Sequence, residues 1–188
     1  MSKLPRVIGI SGFARSGKDT VRAHLQQKYG YTGAAFADAL RKIMRRVNPV
    51  VGVESGKLIR YCEALDLHGY DNAKVCYPLV REMLVAIGVG NRDELHLDIW
   101  LDKVIPSNYS GSPIAVSDVR FVNEAVRVVS LKGIVIEVTR PGVTAPNDEE
   151  ARNHPLLQPY ITVTIHNDGT KEELGRKIDA AFEKLGFV

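Results

Sequence analysis

Cysteine is scarce in this sequence. Cys62 and Cys76 stand 14 residues apart with no CxxC pair, and the five histidines (His24, His68, His96, His154, His166) form no HExxH or other ligand-spaced cluster. A disulfide scaffold and a zinc module are therefore excluded, and each cysteine is expected to be an ordinary buried or half-buried thiol. Long hydrophobic runs are missing too: nothing approaches the roughly 18 apolar residues of a spanning helix. The start, Met1 to Pro5, leads into a short apolar strand rather than a signal-peptide core, so the expected location is the cytoplasm. Charge of one sign is also lacking, because 25 Lys plus Arg against 22 Asp plus Glu leave only +3. So small a surplus gives no general affinity for nucleic acid or an anionic membrane, and any polyanion must be bound locally. No internal repeat or low-complexity tract appears.

What remains is a chain of 188 residues, 45% hydrophobic and 25% charged, which predicts one folded domain over 1–188. Val7 to Ile10 is a continuous apolar run ending at glycine, the pattern of a strand buried on both faces of a parallel sheet. Val21, Leu25 and Tyr29 then recur at helical spacing from Lys18 to Gly30. Gly33 to Phe36 has strand length, and Leu40, Met44 and Val47 follow as a helix stopped by Pro49. Residues 48–71 show no sustained period and are expected to be loop with at most one short helix. Helices are predicted over 74–87 and 93–104, separated by Gly88 and Gly90. Ile114 to Val116 forms a strand, the Val122 to Val129 helix ends at Gly133, and Ile134 to Thr139 is a β-branched strand. Residues 140–160 hold four prolines and suggest a flap. A strand over 161–165 precedes a C-terminal helix after Asn167-Asp168-Gly169. Five strands alternating with helices predict a three-layer α/β fold with a largely parallel sheet, in which ligands sit beyond the carboxyl ends of the strands.

Gly12-Phe13-Ala14-Arg15-Ser16-Gly17-Lys18 matches G-x-x-x-x-G-K between the first strand and first helix, the context of a P-loop. Glycines let backbone N–H groups close around phosphate oxygens, the helix N-terminus adds positive potential, and Lys18 reaches the outer phosphates. The hydroxyl usual at the next position is replaced by Asp19, with Thr20 one place later. Asp19 therefore serves either Mg²⁺ or the charge of the helix start. Asp118 is expected to end the third strand, as a metal-side carboxylate or a helix N-cap. Arg120 and Glu124 form a surface ion pair or place Arg120 on a phosphate or base. Asp38, Arg41 and Lys42 follow the second strand, where a second phosphate could be neutralised. Arg81, Arg92 and Trp100 lie in the middle helices, Trp100 either as core or as a base platform. Arg140 enters the flap at the position of a lid arginine. His154, in the same flap, is taken as a loop residue, since phosphoryl transfer needs positioning and charge more than a strong base.

Several of these segments together resemble one family. They are Ser11-Gly12 with Arg15-Ser16-Gly17-Lys18-Asp19-Thr20, Phe36 to Arg41, the Arg81 to Gly88 helix with Arg92 and Trp100, Ser117 to Arg120 with Glu124, Val138 to Gly142, and Ile165 to Thr170. The chain resembles the bacteriophage-type deoxynucleoside monophosphate kinases, a branch of the P-loop nucleoside monophosphate kinase superfamily. The resemblance implies transfer of the ATP γ-phosphoryl group to a deoxynucleoside 5′-monophosphate with Mg²⁺. It implies that Lys18, Arg15 and the loop amides from Gly12 through Ala14, Ser16 and Gly17 hold ATP, and that Asp19, Thr20 and Asp118 serve the metal. Arg41, Arg81, Arg92 and Arg120 would hold the acceptor, Arg140 would come from a lid over about 140–160, and Asn167 would lie near the adenine. Asp38, Lys42, Trp100 and Glu124 join the acceptor side, within a helical region over about 37–110. The partner implied is a small molecule rather than nucleic acid or membrane, a homodimer stays open, and a phage-encoded chain would work in the host cytoplasm. The flap sequence Asn153-His154-Pro155-Leu156-Leu157 departs from the family pattern. Dephospho-CoA kinase and phosphomevalonate kinase use similar loops, and a P-loop ATPase or nucleotide switch is the alternative from another class. Acceptor-dependent turnover separates the kinases from the switch, which would instead show DNA-stimulated hydrolysis.

Overall fold

In the computed structural model, which describes residues 4–187, Val7–Ser11 (β1) is buried at every position, as its unbroken apolar run predicts. After it come α1 (Lys18–Tyr29), β2 (Thr32–Ala34), α2 (Ala37–Val47), β3 (Val50–Glu54), β4 (Lys57–Arg60), α3 (Tyr61–Cys76), α4 (Pro78–Glu94) and α5 (Ile99–Val104). The chain continues through β5 (Ile114–Val119), α6 (Val122–Ser130), β6 (Ile134–Thr139), α7 (Asp148–Leu157), a 3-10 turn over Gln158–Tyr160, β7 (Val163–His166) and α8 (Lys171–Lys184). Two units result: one runs to Phe36 and resumes at Leu101, and the other is Ala37–Trp100.

The first unit carries the expected sheet, five parallel strands in the order β2-β5-β1-β6-β7. Ile8 and Ile10 of β1 point to the side where Val21 and Leu25 of α1 and Leu174, Ile178 and Phe182 of α8 close one core. The other face of β1 receives α6, and it does so at Gly9, where a Cβ would come within 3.0 Å of Val119 Cγ2 and 3.1 Å of Val128 Cγ2. Helices therefore cover both faces, which gives the three layers. The strand expected to end at Asp118 runs one residue further, to Val119, and the last strand begins at Val163 rather than at 161.

The second unit corrects the reading of residues 48–71 as loop. Val50–Glu54 and Lys57–Arg60 pair antiparallel around a two-residue turn, Ser55-Gly56, whose φ angles of 50° and 80° are both left-handed. That is the turn whose twist suits a hairpin. Tyr61, Ala64 and Leu65 of α3 then join Val51, Ile59, Met44, Ala73, Tyr77 and Val80 in a separate core. The helix expected from residue 74 is two helices, α3 ending at Cys76 and α4 starting with Pro78 in its first turn, where proline costs no hydrogen bond. Gly88 and Gly90 do not end α4, which continues to Glu94 beyond the Met83, Leu84 and Ile87 that pack on this core. The helix expected over 93–104 shrinks to α5. Both cysteines are free, with Cys62 half-buried and Cys76 exposed rather than buried. Among the described residues no helix is long and apolar enough to cross a membrane.

Candidate functional site

The turn after β1 closes on itself. Gly12 has φ 133° and Gly17 φ 111°, and Arg15 between them sits at φ 69°, a conformation that costs a non-glycine residue about 1 kcal/mol or more. Neither glycine has room for a side chain: a Cβ on Gly12 would stand 2.3 Å from Val138 O, and one on Gly17 would stand 2.4 Å from Asn167 Nδ2. Ser16 N donates to Phe13 O at 3.2 Å, and Lys18 Nζ crosses the loop to the same carbonyl at 2.7 Å. Ser16 Oγ is buried and has no hydrogen-bond partner, an orphan donor inside the turn. Gly17 caps α1 without a side chain, so the first amides of the helix open into the loop.

Burial, and after it the Arg120 charge, lower the Lys18 pKa from its ordinary value, while Glu150, Asp19 and Asp118 oppose that shift. The lysine therefore feels one cation and three carboxylates. Arg120 NH1 donates to Glu150 Oε1 at 2.8 Å. Gly12, Phe13, Arg120, Glu150, His154 and Leu157 line one small pocket, and the last three are spaced four and three apart on α7, which puts them on one helix face.

The remaining site residues of this unit sit as follows. Asp19 is 84% exposed and pairs with Arg22 at 3.1 Å, while Thr20 is half-buried in the first turn of α1. Asp118 Oδ1 accepts from Phe36 N at 2.7 Å, tying the end of β5 to the chain leaving β2. Glu124, buried, accepts from the amides of Arg120 at 2.7 Å and Phe121 at 3.0 Å, so its carboxylate caps α6. Arg140 follows β6 and is exposed. Asn167 is buried and donates from Nδ2 to Ser16 O at 2.7 Å. Hard oxygens suit Mg²⁺, which needs only one or two carboxylates beside phosphate oxygens and water, and Asp19 and Asp118 are carboxylates whose charge is felt at Lys18. Among the described residues there is no cluster of three or more His, Cys, Asp or Glu, so a metal cage made by protein alone is absent.

In the second unit Asp38 and Arg41 form an ion pair at 2.7 Å, and the Arg41 guanidinium lies 4.6 Å from the Tyr70 ring centre. Lys42 and Arg81 are exposed, and Arg92 is half-buried near the end of α4. Trp100 is buried and donates from Nε1 to Gly88 O at 3.0 Å.

The one feature that residue-by-residue reading missed is Glu137. This carboxylate is buried in the middle of β6, with His154 Nε2 2.7 Å from its Oε1. Its signal was a single acidic residue inside Ile134-Val-Ile-Glu-Val-Thr139.

No family model matches the sequence. The chain is 28% identical over 190 residues to a protein of Acanthamoeba polyphaga mimivirus described as "putative deoxynucleotide monophosphate kinase", with 88% of this chain and 91% of that protein covered. The shikimate kinase of Acinetobacter baumannii, solved with shikimate, superposes with a TM-score of 0.50 at 17% identity, covering 96% of this chain and 94% of its own. The fold is that of a P-loop kinase.

Proposed function

We propose that the chain transfers the γ-phosphoryl group of ATP to a deoxynucleoside 5′-monophosphate. The observation that carries this reading is the closed loop from Gly12 to Lys18, with two glycines that cannot carry a side chain, an orphan Ser16 hydroxyl and a half-buried lysine. The monophosphate class is supported by the mimivirus relative and by the arginines that the resemblance assigns to the acceptor, Arg41, Arg81, Arg92 and Arg120.

In the reaction an oxygen of the acceptor phosphate bonds to the γ-phosphorus, the bond from that phosphorus to the β,γ-bridging oxygen breaks, and ADP leaves with the electron pair. The acceptor oxygen carries no proton, so no general base is required, and catalysis rests on holding charges in line. The loop amides and the start of α1 bind the donor phosphates, and Lys18 meets the charge that develops on the leaving oxygen. The Lys18 ammonium exchanges its Phe13 carbonyl for phosphate oxygen, a stronger charge-assisted partner. Asp19, Thr20 and Asp118 would hold Mg²⁺, which supplies neutralisation of the phosphate charge. Arg120 orients the acceptor, and Arg140 is assigned to the lid. The unit Ala37–Trp100 is assigned to acceptor binding.

The test is a panel of deoxynucleoside and ribonucleoside monophosphates with ATP and Mg²⁺, reading the diphosphate product directly. A deoxynucleoside diphosphate is the expected product, and no product from any acceptor would sink the reading.

A further inference from the structure

Glu137 is costly where it stands. A buried carboxylate has to be surrounded by donors, and this one is: His154 Nε2 at 2.7 Å and Gln158 Nε2 at 3.1 Å reach Oε1, and Thr164 Oγ1 reaches Oε2 at 2.8 Å. Its side chain is 6% exposed, and the rest of β6 is apolar but for the terminal threonine. A valine there would suit the strand at no desolvation cost. What the carboxylate supplies, and valine would not, is an imidazole fixed in place. Because a carboxylate only accepts, the His154 Nε2–H donates, and the plane of the ring is set. That ring rests on Phe13, with centroids 4.6 Å apart and planes at 37°. Phe13 in turn offers the one carbonyl that receives both Lys18 Nζ and Ser16 N. The position of Phe13 thus decides where the phosphate-binding lysine and one loop amide lie.

We propose that Glu137 and His154 are positioning residues that hold the phosphate loop in shape through the Phe13 ring. Glu137 anchors the imidazole to the sheet, and the imidazole carries that rigidity to the tip of the loop. Neither side chain touches a reacting atom in this assignment. The inference rests on the proposed nucleotide-binding function of the loop, but the shape of the loop can be measured without nucleotide.

The experiment compares wild type with His154→Ala, His154→Phe, Glu137→Gln and Thr164→Val, reading hydrogen exchange across residues 12–18 without ligand and calorimetric affinity for a non-hydrolysable ATP analogue. His154→Ala removes ring and donor, and His154→Phe keeps a ring but loses the anchor. Both should speed loop exchange by about fivefold or more and weaken the analogue by about tenfold. Glu137→Gln keeps an acceptor for His154 and should stay within about twofold of wild type in affinity. Thr164→Val strips the same carboxylate of a donor on the β7 side. It should lower the melting temperature while leaving loop exchange and affinity unchanged. Wild-type loop exchange in both His154 variants would overturn the proposal, and so would Thr164→Val loosening the loop as much as they do. Failure of wild type to bind the analogue would defeat the nucleotide-binding reading, with the exchange measurement still deciding the positioning role.

Discussion

Asn167 Nδ2 donates to the backbone carbonyl of Ser16 at 2.7 Å, and Asn167 N donates to Thr139 O at 2.8 Å. One residue at the end of β7 therefore supports the phosphate loop from below and grips β6 beside it. Asn167→Asp keeps the shape but sets a carboxylate oxygen against the Ser16 carbonyl. Affinity for ATP should fall by about tenfold, equivalent to about 1.4 kcal/mol, and Asn167→Ala should fall less because it removes a donor without adding repulsion. Calorimetric titration with ATP in the absence of acceptor checks this.

Lys18→Ala should cut turnover by at least about a hundredfold with the melting temperature little changed, since the half-buried ammonium is held by one hydrogen bond, to Phe13 O. Asp19→Ser restores a hydroxyl after the lysine and should retain activity with an altered Mg²⁺ requirement, whereas Asp19→Ala should lose far more. Equal rates for the two Asp19 variants across a Mg²⁺ titration would remove Asp19 from the metal.

Arg120→Ala leaves the half-buried Glu150 side chain without its arginine and takes a fixed cation from the pocket beside Lys18. The KM for the monophosphate should rise, or kcat fall, by about tenfold, and Arg120→Lys should already be impaired because an ammonium cannot reproduce the planar fork. Equal loss of ATP affinity measured without acceptor would move Arg120 to the donor side.

Asp179 joins α8 to α1 through Lys28 Nζ, His24 Nε2 and Tyr29 OH, each at 2.7 Å. Burial alone would raise its pKa, but the Lys28, His24 and Tyr29 hydrogen bonds outweigh it and lower the carboxyl from 3.8 to about 2. The folded state thus holds the ionised form better than the unfolded one. Its contribution, about 1–2 kcal/mol after screening, is complete above about pH 4 and is lost as the pH falls towards 2. Urea midpoints measured from pH 6 down to pH 2.5 should drop more steeply for wild type than for Asp179→Asn.

The parallel sheet and the phosphate loop were legible because both are written locally, in unbroken apolar runs and in glycines forced by positive φ at Gly12 and Gly17. The hairpin escaped because its flanks, Val50 to Glu54 and Lys57 to Arg60, are short, broken by Gly52 and ended by charges, and only Ser55-Gly56 marks the turn. The long α4 escaped because Gly88 and Gly90 each cost about 1 kcal/mol in helix propensity, yet the helix runs through both to Glu94. On the site side, Glu124 and Asn167 are polar groups whose partners are backbone atoms, and no spacing rule separates a capping carboxylate or a supporting amide from one that meets ligand. His154 looked like loop because α7 is polar and contains Pro155, and its partner lies across the fold on β6.

The strand order also sets a timetable for synthesis. β1 lies between β5 and β6, both of which follow the whole of Ala37–Trp100 in the chain, so while the polypeptide emerges from the ribosome β1 waits without a neighbour. The inserted unit, built on a hairpin and helices that meet close in sequence, is complete by then and should fold first. The walls of the phosphate loop arrive later still: Val138 comes with β6 and Asn167 with the end of β7. A nascent chain arrested before Ile114 would carry every letter of Gly12 to Lys18 and no cradle for a phosphate, which makes nucleotide binding by staged truncations a direct readout of when the sheet closes.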